Sequence, residues 1–372
     1  MNRRGQGMEL PSALCTRAQT VAEDFTVRTG VRLDSAELIG GRATLLGLAA
    51  PGRTSAGGAT RLLRCADAWC AVTLSRPDDV DSVAALVQHD APPSDPWAAV
   101  CGWAAHQSAV DAVQRAQLLG IPAAVLGEVQ CADPRVLPHG PARAPGAPLL
   151  VADLSSMWAG PLCGQLLRRV GATVVKVESP ARPDGTRRGP APFFDWMNHG
   201  KLSYAIDFDD EEALRSLLTV ADVVIEGSRP AALSRRRLGP SDITARGGRV
   251  WLRITGYGAE GDSGARVAFG DDAAVAGGLV ENTPTGPIFV GDAIADPLTG
   301  LHAAAAVVDS LARGGGELIE MSMAAVSAGY APFVGGARRK PPVPPSVPAA
   351  SSLGADNAAV RSLVNRRHSV TC

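Results

Sequence analysis

Two aspartates stand four residues apart in "FVGDAIADPLTGLHAAAAVVDSL", residues Phe289 to Leu311, just ahead of a long alanine-rich run. Asp296 is followed by a proline and then by apolar residues at helical spacing. That is the signature of a helix N-terminus, and it is also where a carboxylate can be presented to a ligand. Both roles, cap and nucleophile, are open at this point. The six histidines are spread out without metal-ligand spacing, and the chain has no GxSxG elbow. A carboxylate is therefore the best candidate for covalent chemistry. His302, six residues beyond Asp296, is expected to pack on its helix.

The other chemistry-bearing residues cluster where strands should end. "DLSSMWAGP", "KVESPARPDGTRR", "IDFDD", "IEGSRP" and "ITGYGAEG" each follow an apolar run of strand length, and loops at strand ends are where ligands bind in α/β sheets. The turn "WAGP" leads into a helix whose free N–H groups suit a phosphate or an oxyanion, but it lacks the glycine spacing of a dinucleotide or P-loop fingerprint. Lys176, Arg187, Arg188, Lys201 and the triplet Arg235, Arg236, Arg237 read either as a phosphate patch or as a solvated basic face.

The elements that must position these groups alternate in type. From Leu149 the chain reads strand "LLVADL", helix "GPLCGQLLRRVG" and strand "ATVVKVE", a βαβ unit. Then follow strand "LSYAIDF", helix "DDEEALRSLLTVA", strands "DVVIEG" and "RVWLRITGYG", and a last strand and helix in "GELIEMSMAAVSAGYA". Strands alternating with helices predict a parallel sheet with its crevice at the strand C-termini. Upstream, "RLLRCADAWCAVTL" contains a half-buried strand, "WAAVCGWAAHQSAVDAVQRAQLLG" reads as one helix and "IPAAVLGEV" as a strand. Trp69, Trp97 and Trp103 are expected to pack in a core or interface. Residues 132–148 are rich in Pro, Gly and Ala and read as a linker. From Gly335 the Pro-rich tail is expected to be extended or disordered.

Composition bounds the partners. The 372 residues carry 36 Lys plus Arg against 37 Asp plus Glu, with 46% hydrophobic residues. This is a soluble globular balance with no global pull toward nucleic acid or a membrane surface. Seven scattered cysteines, Cys372 among them, form no CxxC pair. They suit a reducing cytoplasm better than a disulfide framework or a zinc site. The N-terminus "MNRRGQGMELPSALC" has no apolar core of a signal peptide.

Taken in order, "DLSSMWAGPLCGQLLRRVGATVVKVESP", "MNHGKLSYAIDF", "ADVVIEGSRP", "ITGYGAEG" and "GDAIADPLTGLHAA" resemble the motifs of the family III CoA-transferases, which include formyl-CoA transferases and α-methylacyl-CoA racemases. The resemblance covers about Leu149 to Tyr330. It implies a Rossmann-like parallel-sheet large domain, a smaller α+β domain and an interlaced homodimer. It also implies a reaction in which CoA passes from an acyl-CoA thioester to a carboxylic acid through a mixed anhydride and an aspartyl-CoA thioester on Asp296. An aspartate of pKa about 4 would be ionised at neutral pH and need no general base. No bound cofactor or metal is implied; the CoA thioester is the substrate.

Carried over residue by residue, the CoA contacts fall on Trp158 and Ala159, on Ile206, Asp207 and Phe208, on Gly227, Ser228 and Arg229, and on Arg235. Some positions depart from the family. Trp158 stands where a formyl-CoA transferase has glutamine, Gly227 where Asn is usual, Leu202 where a basic residue often follows Lys201, and Ser179 where an arginine can bind the nucleotide. The glycine-rich loop that covers the intermediate has no counterpart. In "AFGDDAAVAGG" Asp271 takes the place of the racemase histidine, which ranks racemisation second; Asp271 and Asp272 read as structural or substrate-lining. A non-catalytic acyl-CoA-binding relative is the third reading. Segments between Arg61 and Val129 look like small-domain segments that ordinarily follow the large domain. The expected layout is thus a permuted small domain at 1–131, a linker at 132–148, the large domain at 149–334 and a Pro-rich tail at 335–372. The tail segment "SSLGADNAAVRSLV" resembles the family's closing segment and is expected to dock as a short helix.

Overall fold

The structure is a computed structural model that describes residues 7–144, 146 and 148–371. The first six residues, two positions of the expected linker and Cys372 lie outside the described residues.

Two helices open the chain, α1 (Ser12–Thr29) and α2 (Ser35–Leu46). Asp34 caps α2 by accepting the N–H groups of Ala36 and Glu37. Next comes an antiparallel hairpin, β1 (Thr60–Arg64) and β2 (Trp69–Thr73), which β3 (Ala123–Val125) extends to three strands. Between β2 and β3 the expected single helix is broken into α3 (Pro96–Ala104) and α4 (Ala109–Leu118). The break has a local cause. Ser108 accepts the Asp111 N–H as the cap of a new helix, a local bond that competes with continuing the old one. Trp97 and Trp103 pack against the core of this unit, as their size suggests.

Within residues 132–148 the structure differs from the expected linker. Arg135–Pro138 is a strand, β4, antiparallel to the last strand of the large sheet.

The large sheet follows the predicted alternation: β5 (Leu150–Asp153), α5 (Ala159–Arg169), β6 (Thr173–Glu178), α6 (Ala191–Asn198), β7 (Leu202–Ala205), α7 (Glu211–Val220), β8 (Val223–Glu226) and β9 (Val250–Thr255). After α8 (Gly270–Ala276) and α9 (Ala295–Ala312), β10 (Glu317–Ser322) completes it. The order across seven strands is β4-β10-β9-β8-β5-β6-β7. All neighbours are parallel except β4 with β10. The chain winds outward from β5 through β6 to β7, then restarts on the other side at β8. Between β5 and β8 lies the switch point at which α/β sheets open a ligand crevice.

A charge ladder crosses four strands in register: Glu226 on β8, Arg253 on β9, Glu320 on β10 and Arg135 on β4. Arg253 donates to Glu226 at 3.0 Å and to Glu320 at 3.1 Å, and Arg135 reaches Glu320 at 3.4 Å. Each internal charge thus meets opposite charges across the strands, which is what lets them stand among apolar neighbours.

The N-terminal helices do not stay with the small sheet. Leu14, Phe25 and Ile39 of α1 and α2 share one core with Leu162 of α5 and Leu298 of α9, whereas residues around β1–β3 form a separate core with α3 and α4. The tail is extended, and Pro341 and Pro344 are seated against Gly40 and Gly41 of α2. It ends in helix α10 (Asn357–Thr371), whose Val360 and Val364 are buried. At the exposed edge of β7, Asp356 accepts the Ser203 N–H and Asn357 bonds both backbone groups of Ala205. Side-chain amide and carboxylate thereby satisfy an edge that would otherwise be open to another strand.

Candidate functional site

At the switch point the sequence Ser155-Ser156-Met157-Trp158 turns sharply from β5 into α5. Met157 sits at φ +73°, a costly place for a side-chain-bearing residue. It is held there by the Asp184 carboxylate, which accepts its N–H at 3.2 Å. Asp184 in turn pairs with Lys176 at 2.7 Å. Beneath the turn Asp153 pairs with Lys201 at 2.9 Å, and Lys201 also donates to the Pro161 carbonyl at 2.8 Å. All four charged groups are buried. Burial alone would push Asp153 up, but Lys201 and Lys176 prevail and hold it below the usual carboxylate range. Gly160 has no room for a side chain, since a Cβ there would lie 2.1 Å from the Ser155 hydroxyl oxygen. Gly160 in the first turn of α5 is therefore a packing requirement.

These contacts revise the expected phosphate patch. Lys176 and Lys201 are internal ion-pair partners, and Arg187 grips Glu178 while stacking on Phe194. Arg236 pairs with Asp209 at 2.9 Å. Arg188, Arg235 and Arg237 remain exposed.

Asp296 comes to the same place from the other direction. It is not a cap: Ile294 precedes the helix, no side chain caps it, and Asp296 is the second residue of α9. Its carboxyl instead lies by the backbone N–H of Ala159, the first residue of α5, which favours its anion. The N-termini of two helices meet at one carboxylate, and both dipoles favour its anion. Against this stand burial and the neighbouring carboxylates. Burial first, then Asp271, push Asp296 up to about 7, with Arg42 and the Ala159 N–H pulling the other way. The expectation of a fully ionised aspartate of ordinary pKa is thereby overturned; near neutrality a substantial share is protonated.

The cluster is built from three segments. Asp271 and Asp272 lie on α8 and are pushed up to about 6 and about 7, chiefly by burial. Asp271 accepts the Ala293 N–H at 3.0 Å and faces Thr60 of β1 at 3.3 Å. Asp272 accepts the Phe269 N–H at 2.9 Å, the Tyr257 hydroxyl at 2.8 Å and the Thr73 hydroxyl of β2 at 3.1 Å. Asp292 is bound through both oxygens by Arg42 of α2, at 2.7 and 2.8 Å. Gly270 touches the site directly: a Cβ there would lie 2.3 Å from an Asp296 carboxyl oxygen.

The expected CoA contacts fall at the C-terminal ends of β5, β7 and β8. Trp158 and Ala159 are buried beside Asp296, with the Trp158 ring edge-on to Phe193 at 5.2 Å and its indole N–H unpartnered. Gly227, Ser228 and Arg229 follow β8, where Gly227 abuts Ser155. Ile206, Asp207 and Phe208 lie beyond β7, two strands away from β5. Arg235 ends a short helix past β8 and is exposed. His302 packs with its ring nitrogen 2.8 Å from the Tyr330 hydroxyl, and burial pulls it down to about 4. Sequence reasoning missed Arg42, Thr60 and Thr73. An arginine inside the apolar "LIGGRATLL" was the one available signal, because a charge in such a stretch needs a buried partner.

Among the described residues no cluster of His, Cys, Asp or Glu is arranged to hold a metal ion, and no helix is long and apolar enough to cross a membrane.

The chain is 35% identical over 147 residues to a probable fatty acyl-CoA transferase of Mycobacterium tuberculosis, covering 36% of this chain and 37% of the relative. It is 33% identical over 175 residues to the mouse succinyl-CoA:glutarate CoA-transferase, covering 43% and 40%. The chain thus spans less than half the length of these curated relatives. A solved CaiB/BaiF family protein from Brucella suis aligns at 31% identity with a TM-score of 0.45, over 49% of this chain and 54% of that one. The profile of CoA-transferase family III matches residues 147–344, more than half of the chain, and includes both the turn at Trp158 and Asp296. The chain belongs to CoA-transferase family III.

Proposed function

We propose that the protein transfers CoA from an acyl-CoA thioester to a carboxylic acid, with Asp296 as the nucleophile. The observation that carries this reading is the meeting of two helix N-termini at one half-buried carboxyl, with the Ala159 N–H of the opposite helix beside it. Such a carboxylate is held in place, partly stripped of water and next to backbone donors that can stabilise an oxyanion.

In this mechanism the Asp296 carboxylate attacks the thioester carbonyl. The C–S bond breaks, leaving an acyl-aspartyl anhydride and CoA thiolate. The thiolate attacks the aspartyl carbonyl, releasing the first carboxylic acid as its anion and forming an aspartyl-CoA thioester. An incoming carboxylate attacks that thioester, and the expelled thiolate takes the new acyl group, which regenerates Asp296. Trp158, Ala159, Ile206, Asp207, Phe208, Gly227, Ser228, Arg229 and Arg235 are proposed CoA contacts. Their grouping at the C-terminal ends of the parallel strands supports this. The working form is proposed to be a homodimer in a reducing, cytoplasmic compartment, on the family resemblance and the scattered cysteines.

Incubating the protein with a panel of acyl-CoAs, trapping with hydroxylamine and locating the modified peptide by mass tests the reading. A hydroxamate at Asp296 is expected; its absence across the panel sinks the proposal. Racemisation is less well supported, because Asp272 is already engaged by three donors and Asp271 by backbone and threonine, and neither is an imidazole.

A further inference from the structure

Arg42 comes from α2, outside the matched family region, and reaches into the acidic cluster. One of its terminal nitrogens bonds both oxygens of Asp292, at 2.7 and 2.8 Å. Asp292 is 99% buried whereas the Arg42 side chain keeps 25% exposure. The guanidinium carbon also lies 5.8 Å from the Trp158 ring centre and 5.2 Å from that of Phe193. Two aromatic rings and a buried carboxylate fix the cation in one place, which a longer, unrestrained side chain on the surface would not achieve.

Between Asp292 and Asp296 the chain turns through Ala293 at φ +42°, a strained position for a residue other than glycine. The turn is pinned at both of its first residues: Arg42 holds Asp292 by its side chain, and Asp271 holds Ala293 by its N–H. One residue of α9 later comes Asp296. The charged groups that bear on Asp296 are Asp271 and Asp272 from α8 and Arg42 from α2, with Asp292 paired to Arg42 and repelling Asp271. Arg42 is the cation that opposes the carboxylates in that set.

We infer that Arg42 is a positioning residue for Asp296: its grip on Asp292 fixes the turn that presents the nucleophile and sets a cation beside the acidic cluster. The functional meaning of this clamp rests on the proposed role of Asp296, but the clamp itself does not. An N-terminal helix that the family profile does not include thus supplies part of the site's electrostatics.

The test is a titration of the full-length chain labelled with carboxyl-13C aspartate, followed by NMR, with the Asp296 resonance assigned by its loss in Asp296→Asn. Arg42→Gln is expected to raise the Asp296 midpoint by about one pH unit, the usual scale for losing a nearby opposite charge. Arg42→Lys, which keeps the charge, is expected to leave the midpoint close to that of the unaltered protein. Because Arg42→Gln strands a buried carboxylate and can fail to fold, Arg42→Gln/Asp292→Asn is measured beside it and is expected to shift the midpoint upward by a smaller amount, since a neighbouring carboxylate leaves with the guanidinium. An unmoved midpoint in the folded glutamine variants, or a lysine variant shifted as far as the glutamine one, overturns the inference. Hydroxylamine trapping with the acyl-CoA panel on the unaltered chain separates the two readings. Failure to trap at Asp296 overturns the nucleophile and with it the clamp's catalytic meaning; trapping with an unmoved midpoint overturns the clamp alone.

Discussion

Two sets of aspartates are held in different surroundings, and those surroundings drive them in opposite directions. Asp153 and Asp184 at the foot of the β5–α5 turn each meet a buried lysine and are held below the usual carboxylate range despite burial. Asp272 is buried and Asp271 and Asp296 are half-buried; none of the three has a paired lysine or arginine among the described residues, and they are pushed up to about 6, about 7 and about 7 in the order Asp271, Asp272, Asp296. Burial costs every carboxylate alike; the partner decides whether the anion survives. The first set stabilises a strained turn. The second holds Asp296, raised to about 7, the setting expected of the proposed nucleophile.

That contrast is broken most sharply at Asp296 itself. Asp296→Asn is expected to lower CoA transfer by at least about a thousandfold, since an amide cannot form the anhydride. Its thermal stability should match or exceed that of the unaltered chain, because a crowded carboxylate is gone. A variant that keeps transfer above a tenth of the original rate would remove Asp296 from the mechanism. The opposite set should respond through folding. Lys201→Met leaves Asp153 buried without its closest cation and is expected to cost about 3–5 kcal/mol in urea unfolding. A loss below about 1 kcal/mol would mean that the lysine pair is not what supports the turn.

Gly270→Ala sharpens the contrast between packing and chemistry. Its Cβ would meet the Asp296 carboxyl and the Ala293 carbonyl at 2.3 Å. A stability loss of about 1–3 kcal/mol is expected, with a larger proportional fall in transfer rate, measured on the same preparation. Equal, small effects on both would show that the turn yields easily.

The two sets also predict opposite pH responses. For the raised aspartates the folded state binds more protons than the unfolded state between about pH 4 and pH 7, so unfolding free energy should fall as pH rises through that window. For Asp153, with a depressed pKa, stability is present above the unfolded value near pH 4 and is lost only on further acidification. Melting temperatures between pH 4 and pH 8 should therefore drift downward with pH, and Asp271→Asn should flatten the drift. Transfer rate should rise with pH around an apparent midpoint near 7, displaced downward in Asp271→Asn by less than about one unit. A rate independent of pH from 5 to 8 would contradict the raised carboxyl.

The alternation from Leu149 onward was legible because apolar runs of strand length and helices of 3.6-residue period are local properties of the chain. Each of β5 to β10 lies inside a segment read as a strand. The break at Ser108 and the strand Arg135–Pro138 were not legible. A single serine cap and a Pro-flanked strand are weak local signals, and Arg135 makes sense only beside Glu320 of a strand far along the chain. The lysines misled for the same reason: nothing local distinguishes a buried Lys201 from a solvated one.

Local order determined that Asp296 stands at a helix start and that a glycine lies in the first turn of α5, since backbone conformation follows from neighbouring residues. Tertiary structure alone decided that these two helix ends meet and that Asp271 crowds the carboxyl while Arg42, 254 positions earlier by residue number, relieves it. The physical reason is range. Capping and periodicity act within a turn or two of the chain, whereas ionisation depends on distance through space and on the exclusion of water, which exist only once the segments have packed.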